Sequence, residues 1–259
     1  MLARTSLAAS FRPTAATTIP VVLDFLAPST LQQSRRLYHS TTTTNHSAAP
    51  SAPSPPSPTD HHGARKPRYA LTAKQREFLD SALRVNQAGE LAATLIYTAQ
   101  TPQVVRSHPH LRPLMKHMYD QEVGHFNTFN QLIAKHRVRP TAMYPVWYAA
   151  ATFLGWSTGV LGREAAMACT EAVETEIGSH YNDQVREILS WKAEAERRGE
   201  ELDPELEEML ANFRRIRDEE LEHLDHAVEN DAKEAKPYDP LVNFIRYGCK
   251  AAIKISEKV

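Results

Sequence analysis

Cysteine is scarce in this chain, and neither sign of charge dominates. Two cysteines among 259 residues are too few for a disulfide framework or a multi-cysteine zinc site. The 30 Lys and Arg residues nearly balance the 31 Asp and Glu residues, for a formal net charge of −1. This balance excludes a globally basic nucleic-acid-binding protein, and we expect no nucleic-acid partner. Twelve histidines, by contrast, leave room for a metal site of imidazoles and carboxylates.

The first 71 residues differ in composition from the rest. Residues 1–38 contain four arginines and a single acid, Asp24, among Ser, Thr and Ala, which is typical of a mitochondrial transit peptide. A disordered N-terminus without a targeting role is the alternative. Residues 39–71 are rich in Ser, Thr and Pro, and we predict a disordered linker because such a segment buries too little apolar surface to fold.

The remaining residues, 72–259, show the pattern of a single helical domain. Asn-Gly and Asp-Gly hairpin signals are missing there, and Thr72 and Gln75 have the spacing of a helix capping box. Apolar residues recur every three or four positions in four long segments, which indicates amphipathic helices. These segments are 73–100, 110–136, 163–190 and 204–230. The prediction is an all-α helix bundle.

Two of these segments contain the tetrapeptide Glu-x-x-His, as Glu122 to His125 and Glu220 to His223. A spacing of three places both side chains on one helical face. At about 100° per residue, both pairs fall within or beside the apolar stripe of their helix, whereas Glu219, Glu222 and His226 point the other way. The sequence therefore predicts one inward Glu-His pair on each helix.

The other two segments each supply one inward acid. Glu174 lies closer to the apolar centre of its helix than Glu171 or Glu176, and Glu90 is in line with apolar residues of the first segment. Four carboxylates and two imidazoles would be costly in a core without partners. Two divalent cations would neutralise four carboxylates, and a ligand set of oxygen and nitrogen suits iron or manganese. The order Glu, Glu-x-x-His, Glu, Glu-x-x-His is that of ferritin-like di-iron carboxylate bundles. The alternative treats each Glu as surface charge and each His as an ordinary core residue.

Four motifs also carry a resemblance to a known family. They are Arg84-Val85-Asn86-Gln87-Ala88-Gly89-Glu90, Glu122-x-x-His125, Ala168-Cys169-Thr170-x-Ala172-Val173-Glu174 and Arg217-Asp218-Glu219-Glu220-Leu221-Glu222-His223. In this order they resemble the 5-demethoxyubiquinone hydroxylase family, from about Leu71 to the C-terminus. The resemblance implies a mitochondrial di-iron monooxygenase that hydroxylates demethoxyubiquinone, with its polyprenyl tail, using O₂ in the penultimate step of ubiquinone biosynthesis. Its metal ligands map onto Glu90, Glu122, His125, Glu174, Glu220 and His223.

The resemblance to a mitochondrial enzyme, together with the two segments described next, predicts peripheral attachment to the matrix side of the inner membrane. It also implies other proteins of the ubiquinone biosynthesis complex as partners, including a lipid-binding one. Tyr181, two turns after Glu174, is a candidate for assisting proton or electron delivery, with a packing role as the alternative. No dinucleotide-binding glycine motif is present, so the electrons are expected from an external two-electron donor such as NADH, from a reductase or from a quinol.

Two further segments bear on membrane contact. Residues 140–162 carry no charge, but their Pro, Gly, Ser and Thr make a poor transmembrane helix, so we predict a membrane-interface helix. A buried core helix is the alternative. In the C-terminal helix, Arg246, Lys250 and Lys254 form a basic stripe opposite apolar residues, which is typical of helices lying on an anionic membrane. The charged stretch 192–203 looks longer than the family norm and is predicted to be a solvated helix extension.

Three other functions remain open at this point. A ferroxidase or iron-storage protein and a membrane quinol oxidase would use similar ligands. A non-catalytic scaffold of the ubiquinone biosynthesis complex would not need them. Iron uptake without hydroxylation, oxygen consumption with unmodified quinol, or ubiquinone synthesis that survives loss of Glu122 or Glu220 would distinguish these functions.

Overall fold

The computed structural model describes residues 66–259. The predicted transit peptide, residues 1–38, and the linker as far as residue 65 lie outside the described residues. Within the described part, six α-helices account for nearly all of the structure, and the only extended pairing is an isolated bridge between Arg68 and Glu201. The helices are α1 (Ala73–Ser107), α2 (Arg112–His136), α3 (Tyr144–Leu161), α4 (Arg163–Arg198), α5 (Pro204–Glu229) and α6 (Tyr238–Ser256).

The four predicted helices are confirmed, and two of them run further than expected. The capping box at the start of α1 is present, because the hydroxyl of Thr72 accepts from the Gln75 amide and the Gln75 side chain accepts from the Thr72 amide. α1 continues through Pro102 although proline removes a backbone hydrogen bond, because Val104 and Val105 bury their side chains in the core. α4 extends to Arg198 and ends at Gly199, whose φ of 70° is left-handed.

The last residues of the predicted linker, 67–69, pair with the segment that precedes α5. The amide of Tyr69 donates to the Glu201 carbonyl at 2.8 Å, and the Glu201 amide donates to the Pro67 carbonyl at 2.9 Å. Tyr69 is buried, as are Ala195 and Leu202 of the charged stretch 192–203. That stretch is a helix extension as predicted up to Arg198, but its apolar residues pack in one cluster with Tyr69, just before α1, instead of being solvated throughout.

Apolar clusters above and below a polar layer form the core. On α1, Leu83 belongs to one cluster and Tyr97 to the other; on α2, Phe129 and Met118 divide in the same way. α2 packs mainly on α1, and α5 mainly on α4. The two Glu-x-x-His motifs therefore lie between two hydrophobic ends of one bundle.

α3 packs closely on α1 through two glycines. A Cβ atom at Gly155 would lie 2.5 Å from the Ile96 carbonyl oxygen, and one at Gly159 would lie 3.1 Å from the Gln100 Cα. Only four residues of α3 are buried, so the alternative of a buried core helix for this segment is wrong. None of the helices among residues 66–259 is long and apolar enough to cross a membrane.

The basic stripe of the C-terminal helix makes a contact that the sequence did not predict. Arg246 donates to Glu176 of α4 at 2.6 Å, and the Lys250 ammonium lies 3.5 Å from the same carboxylate. Two of the three basic residues of the predicted stripe thus pair with a protein carboxylate, because α6 docks on α4 along that side. Lys250 and Lys254 still reach solvent, as do the aromatic side chains of Phe244 and Tyr247.

Candidate metal centre

Six acids and histidines converge at the middle of the bundle. α1 supplies one carboxylate, α4 supplies another, and α2 and α5 each supply one carboxylate and one imidazole. Every one of these side chains is at most 2% exposed. They are Glu90, Glu122, His125, Glu174, Glu220 and His223, the six positions predicted from helical facing.

The six residues form two overlapping groups, each compact enough to hold a metal ion. One group contains Glu90 and His125, the other contains Glu174 and His223, and both include Glu122 and Glu220. Within each group, one ligand atom per residue lies within 4.8 Å of all the others. Two carboxylates shared between two groups are the arrangement that a pair of neighbouring ions requires.

Both imidazoles turn Nδ1 toward the carboxylates. Nδ1 of His125 lies 2.9 Å from Glu220 Oε1, and Nδ1 of His223 lies 3.1 Å from Glu122 Oε1. On the far side, Nε2 of His125 lies 2.6 Å from Glu219 Oε2, and Nε2 of His223 lies 2.9 Å from Gln121 Oε1. An oxygen acceptor on Nε2 leaves the Nδ1 lone pair free for a metal and fixes the ring plane.

The residues present fit a metal pair. Both oxygens of Glu122 and of Glu220, one oxygen of Glu174, and Nδ1 of both histidines are buried and make no hydrogen bond. These atoms face one another across the middle of the cluster. Buried polar atoms in this number are costly unless cations satisfy them.

Burial and the closely spaced charges of the cluster also shift the pKa values of its residues. Burial, followed by the Glu220 charge, raises the pKa of Glu90 to about 8, and burial raises the pKa of Glu174 well above its usual value. Burial also opposes charge on Glu220 and His223. The nearby imidazoles nevertheless lower the pKa of Glu220 to about 2, and the carboxylates of Glu122 and Glu220 raise the pKa of His223 to about 10. Without metal, the cluster thus retains protons that a cation would displace.

Two other acids of α4, close to Glu174 in the chain, pair with side chains outside the cluster. Glu171 accepts from Lys233 and Tyr238, and Glu176 accepts from Arg246. Both acids are largely buried, but cationic side chains neutralise them. The prediction that Glu174 is the inward acid of α4 agrees with this arrangement.

The angular positions of residues around each helix did not identify two residues of the site. Glu219 was placed on the outer face of α5, yet it reaches His125, and Gln121 was not singled out although it holds His223. Both contacts join α2 to α5, so the periodicity of one helix cannot reveal them. Tyr181 is buried, and its hydroxyl donates to Glu90 Oε1.

A cavity of about 470 Å³ adjoins the cluster. Glu90 and Tyr181 line its inner end, and Phe153 of α3 and Phe244 of α6 line its exposed end. Most of the other lining residues are apolar. The cavity thus runs from the surface between α3 and α6 to the carboxylates.

Residues 77–256 match the family described as ubiquinone biosynthesis protein COQ7. The chain belongs to this family. A relative in Saccharomyces cerevisiae, named 5-demethoxyubiquinone hydroxylase, mitochondrial, is 42% identical over 211 residues, which cover 78% of this chain and 90% of the yeast protein.

Similar proteins also occur in human and in a bacterium. The human protein named NADPH-dependent 3-demethoxyubiquinone 3-hydroxylase, mitochondrial, is 40% identical over 185 residues, or 71% of this chain and 79% of its own length. The Rhodospirillum rubrum protein named 3-demethoxyubiquinol 3-hydroxylase is 40% identical over 181 residues, or 70% and 78%. Membership of the COQ7 family confirms the resemblance stated above and the ferritin-like all-α fold.

Proposed function

We propose that this protein hydroxylates the ring of demethoxyubiquinone with O₂ at a di-iron centre, in the penultimate step of ubiquinone biosynthesis. The observation that carries the proposal is the position of two overlapping carboxylate-histidine groups at the closed end of an apolar cavity. The names of the yeast, human and bacterial relatives support the same reaction.

The six convergent residues are the proposed metal ligands: Glu90, Glu122, His125, Glu174, Glu220 and His223. Their oxygen and nitrogen donors suit iron, and a bound iron pair would supply O₂ activation, with one oxygen atom entering the ring and the other leaving as water. The chain's own contribution is to orient the ligands and exclude water. Glu219 and Gln121 hold the imidazole rings, and the apolar clusters at either end of the polar layer keep it dry.

Side chains at the inner end of the cavity would position the substrate ring. His180 lines the cavity, burial lowers its pKa to about 4, and its Nε2 has no hydrogen-bond partner. The neutral imidazole can therefore bond to a quinone oxygen. Tyr181 donates to Glu90, and we assign it a positioning role on that carboxylate, from which it could also pass a proton.

The exposed end of the cavity suits the polyprenyl tail and a lipid surface. Phe153, Trp156 and Leu161 of α3 and Phe244 and Tyr247 of α6 are at least half exposed, in two helices that flank the cavity. Exposed aromatic and aliphatic side chains of this kind mark membrane contacts. We infer that α3 and α6 lie in the membrane surface, so that the tail enters without crossing water.

Location, electron source and partners complete the proposal. The relatives' names place them in mitochondria, and with the predicted transit peptide this supports the matrix side of the inner membrane. We infer an external two-electron donor of the NADH type, in line with the pyridine-nucleotide dependence in the human relative's name. Other ubiquinone-synthesis proteins, including a lipid-binding one, are proposed as partners.

The test compares two acid substitutions on the same helix. The full chain, loaded anaerobically with ferrous iron, is supplied with demethoxyubiquinone, NADH and ¹⁸O₂, and the product is analysed by mass spectrometry. We expect two irons per chain and one ¹⁸O atom in the ring. Glu220→Ala should lose iron and activity, whereas Asp225→Ala, on the exposed side of α5, should keep both.

Three outcomes would contradict the proposal. Iron uptake and oxidation without hydroxylated product would indicate a ferroxidase. Oxygen consumption coupled to oxidation of the quinol to its quinone, without a new ring hydroxyl, would indicate a quinol oxidase. Normal ubiquinone synthesis in cells carrying Glu220→Ala would indicate a scaffold.

A further inference from the structure

A second group of metal-ligating side chains lies on the outside of the bundle, where α2 and α5 face each other. His117 comes from α2, and Glu222 and His226 come from α5. One ligand atom from each lies within 4.8 Å of the other two. The rings of His117 and His226 have centroids 6.5 Å apart, and His226 Nε2 lies 3.5 Å from Glu222 Oε1.

This outer cluster is separate from the buried centre. His117 and Glu222 are exposed, and the His226 side chain is 28% exposed. Helical facing already placed Glu222 and His226 on the opposite side of α5 from its inward Glu-His pair. None of the three residues contacts the six convergent residues by hydrogen bond or ion pair in the described part of the chain.

The ligand set selects a class of ion. Two imidazoles with one carboxylate suit Zn²⁺ and other divalent first-row transition metals, and three protein ligands leave a position for water. Calcium and magnesium prefer sites made of oxygen alone. The other ring nitrogen of His226, Nδ1, lies 3.7 Å from Glu229 Oε2, which is too far for a hydrogen bond.

A helical ion pair does not account for the whole cluster. Glu222 and His226 are four residues apart, and such a pair stabilises a helix by itself. His117, however, belongs to another helix, and its position adds an imidazole donor rather than a countercharge for His226. Two neighbouring histidines, with their rings at 74° to each other, beside one acid make sense as ligands of a common cation.

We propose that His117, Glu222 and His226 bind one divalent transition metal ion, with Zn²⁺ as the representative. Since the ligands come from α2 and α5, the bound ion links two helices that otherwise pack mainly on α1 and α4. Binding to the folded state alone raises its stability. The outer site would thus brace the two helices that carry the Glu-x-x-His motifs.

The experiment uses the iron-loaded full chain and Zn²⁺ in equilibrium dialysis, with zinc and iron counted by mass spectrometry. We expect the wild type to bind one more zinc per chain than His117→Ala or His226→Ala at the same free Zn²⁺, with unchanged iron in all three. His136→Ala is the matched control, a histidine near one acid on the same helix. Histidines outside the described residues are identical in all variants and cancel in the difference.

Thermal unfolding provides the second measurement. Zn²⁺ should raise the Tm of the wild type and of His136→Ala, and should leave His117→Ala unchanged. Equal zinc binding by wild type and His117→Ala, or zinc uptake matched by loss of iron, would overturn the proposal, since the zinc would then occupy other groups or the buried centre. The iron count of each variant reports separately whether it has folded.

Discussion

The contact between α3 and α1 allows one substitution to be predicted in detail. A methyl group on Gly155 would lie 2.5 Å from the carbonyl oxygen of Ile96 and 2.7 Å from its Cα, whereas non-bonded carbon contacts are optimal at about 3.5–4.0 Å. The obstructing atoms are backbone atoms within a long helix, so they cannot turn aside as a side chain would. Gly155→Ala must therefore push α3 outward by a large part of an ångström.

The expected magnitude follows from two opposing effects. Overpacking costs about 1–3 kcal/mol, and alanine returns up to about 1 kcal/mol of helix propensity relative to glycine. Because the obstructing atoms belong to the backbone, the overpacking cost falls in the upper half of its range, about 2–3 kcal/mol. The net loss is then about 1–2 kcal/mol, which lowers the Tm of a domain of this size by about 2–8 °C. Because α3 forms one wall of the cavity, we also expect weaker binding of the quinone substrate.

Gly124→Ala is the matched control, since it makes the same change in the middle of α2. A Cβ atom at Gly124 has no neighbour within 4 Å, so the propensity gain should appear alone and raise the Tm. Differential scanning calorimetry of the two variants and the wild type measures both shifts. A Gly155→Ala protein at least as stable as the wild type would refute the close packing of α3 on α1.

Three other predictions concern the centre, the core and the membrane surface. Glu90 and His223 hold protons in the metal-free folded state that the unfolded chain releases, with pKa values of about 8 and about 10. As the pH rises from 7 to 8, the free energy of unfolding of the metal-free protein should therefore fall by up to about 1.4 kcal/mol for each of these protons. The fall should appear as a lower Tm, and iron-loaded protein should not show it. Asn86→Ala leaves the buried side-chain amide of Gln184 without its partner. The free energy of unfolding, measured with urea, should fall by about 1–3 kcal/mol. Phe153→Asp with Phe244→Asp should abolish flotation with vesicles while leaving the iron count unchanged.

The positions of residues around each helix were enough to locate the metal centre, for three physical reasons. Each convergent residue lies on or near the apolar stripe of an amphipathic helix, and an acid or histidine in that position is tolerated only with a partner. The spacing of Glu122 to His125 and of Glu220 to His223 also places each pair on one face. The structure brings all six side chains together, and their role as iron ligands stays a prediction.

Contacts between helices could not be predicted from the pattern of residues within each helix. The reach of Glu219 to His125, the pairing of Arg246 with Glu176 and the order of Tyr69 beside Glu201 all depend on which helices become neighbours. For Arg246 the sequence indicated an amphipathic basic stripe correctly, but it could not indicate that a protein carboxylate would meet it. The same holds for His117, whose partners lie more than a hundred residues away.

The sequence by itself determined the helices, their inward and outward faces and the chemical nature of the buried ligands, because these depend on spacing within one segment and on the cost of burying charge. Tertiary structure alone decided the cavity between α3 and α6, the acceptors behind each imidazole and the outer histidine pair. Those features arise where surfaces from separate helices meet, and the geometry of such a meeting is set by the packing of the whole bundle.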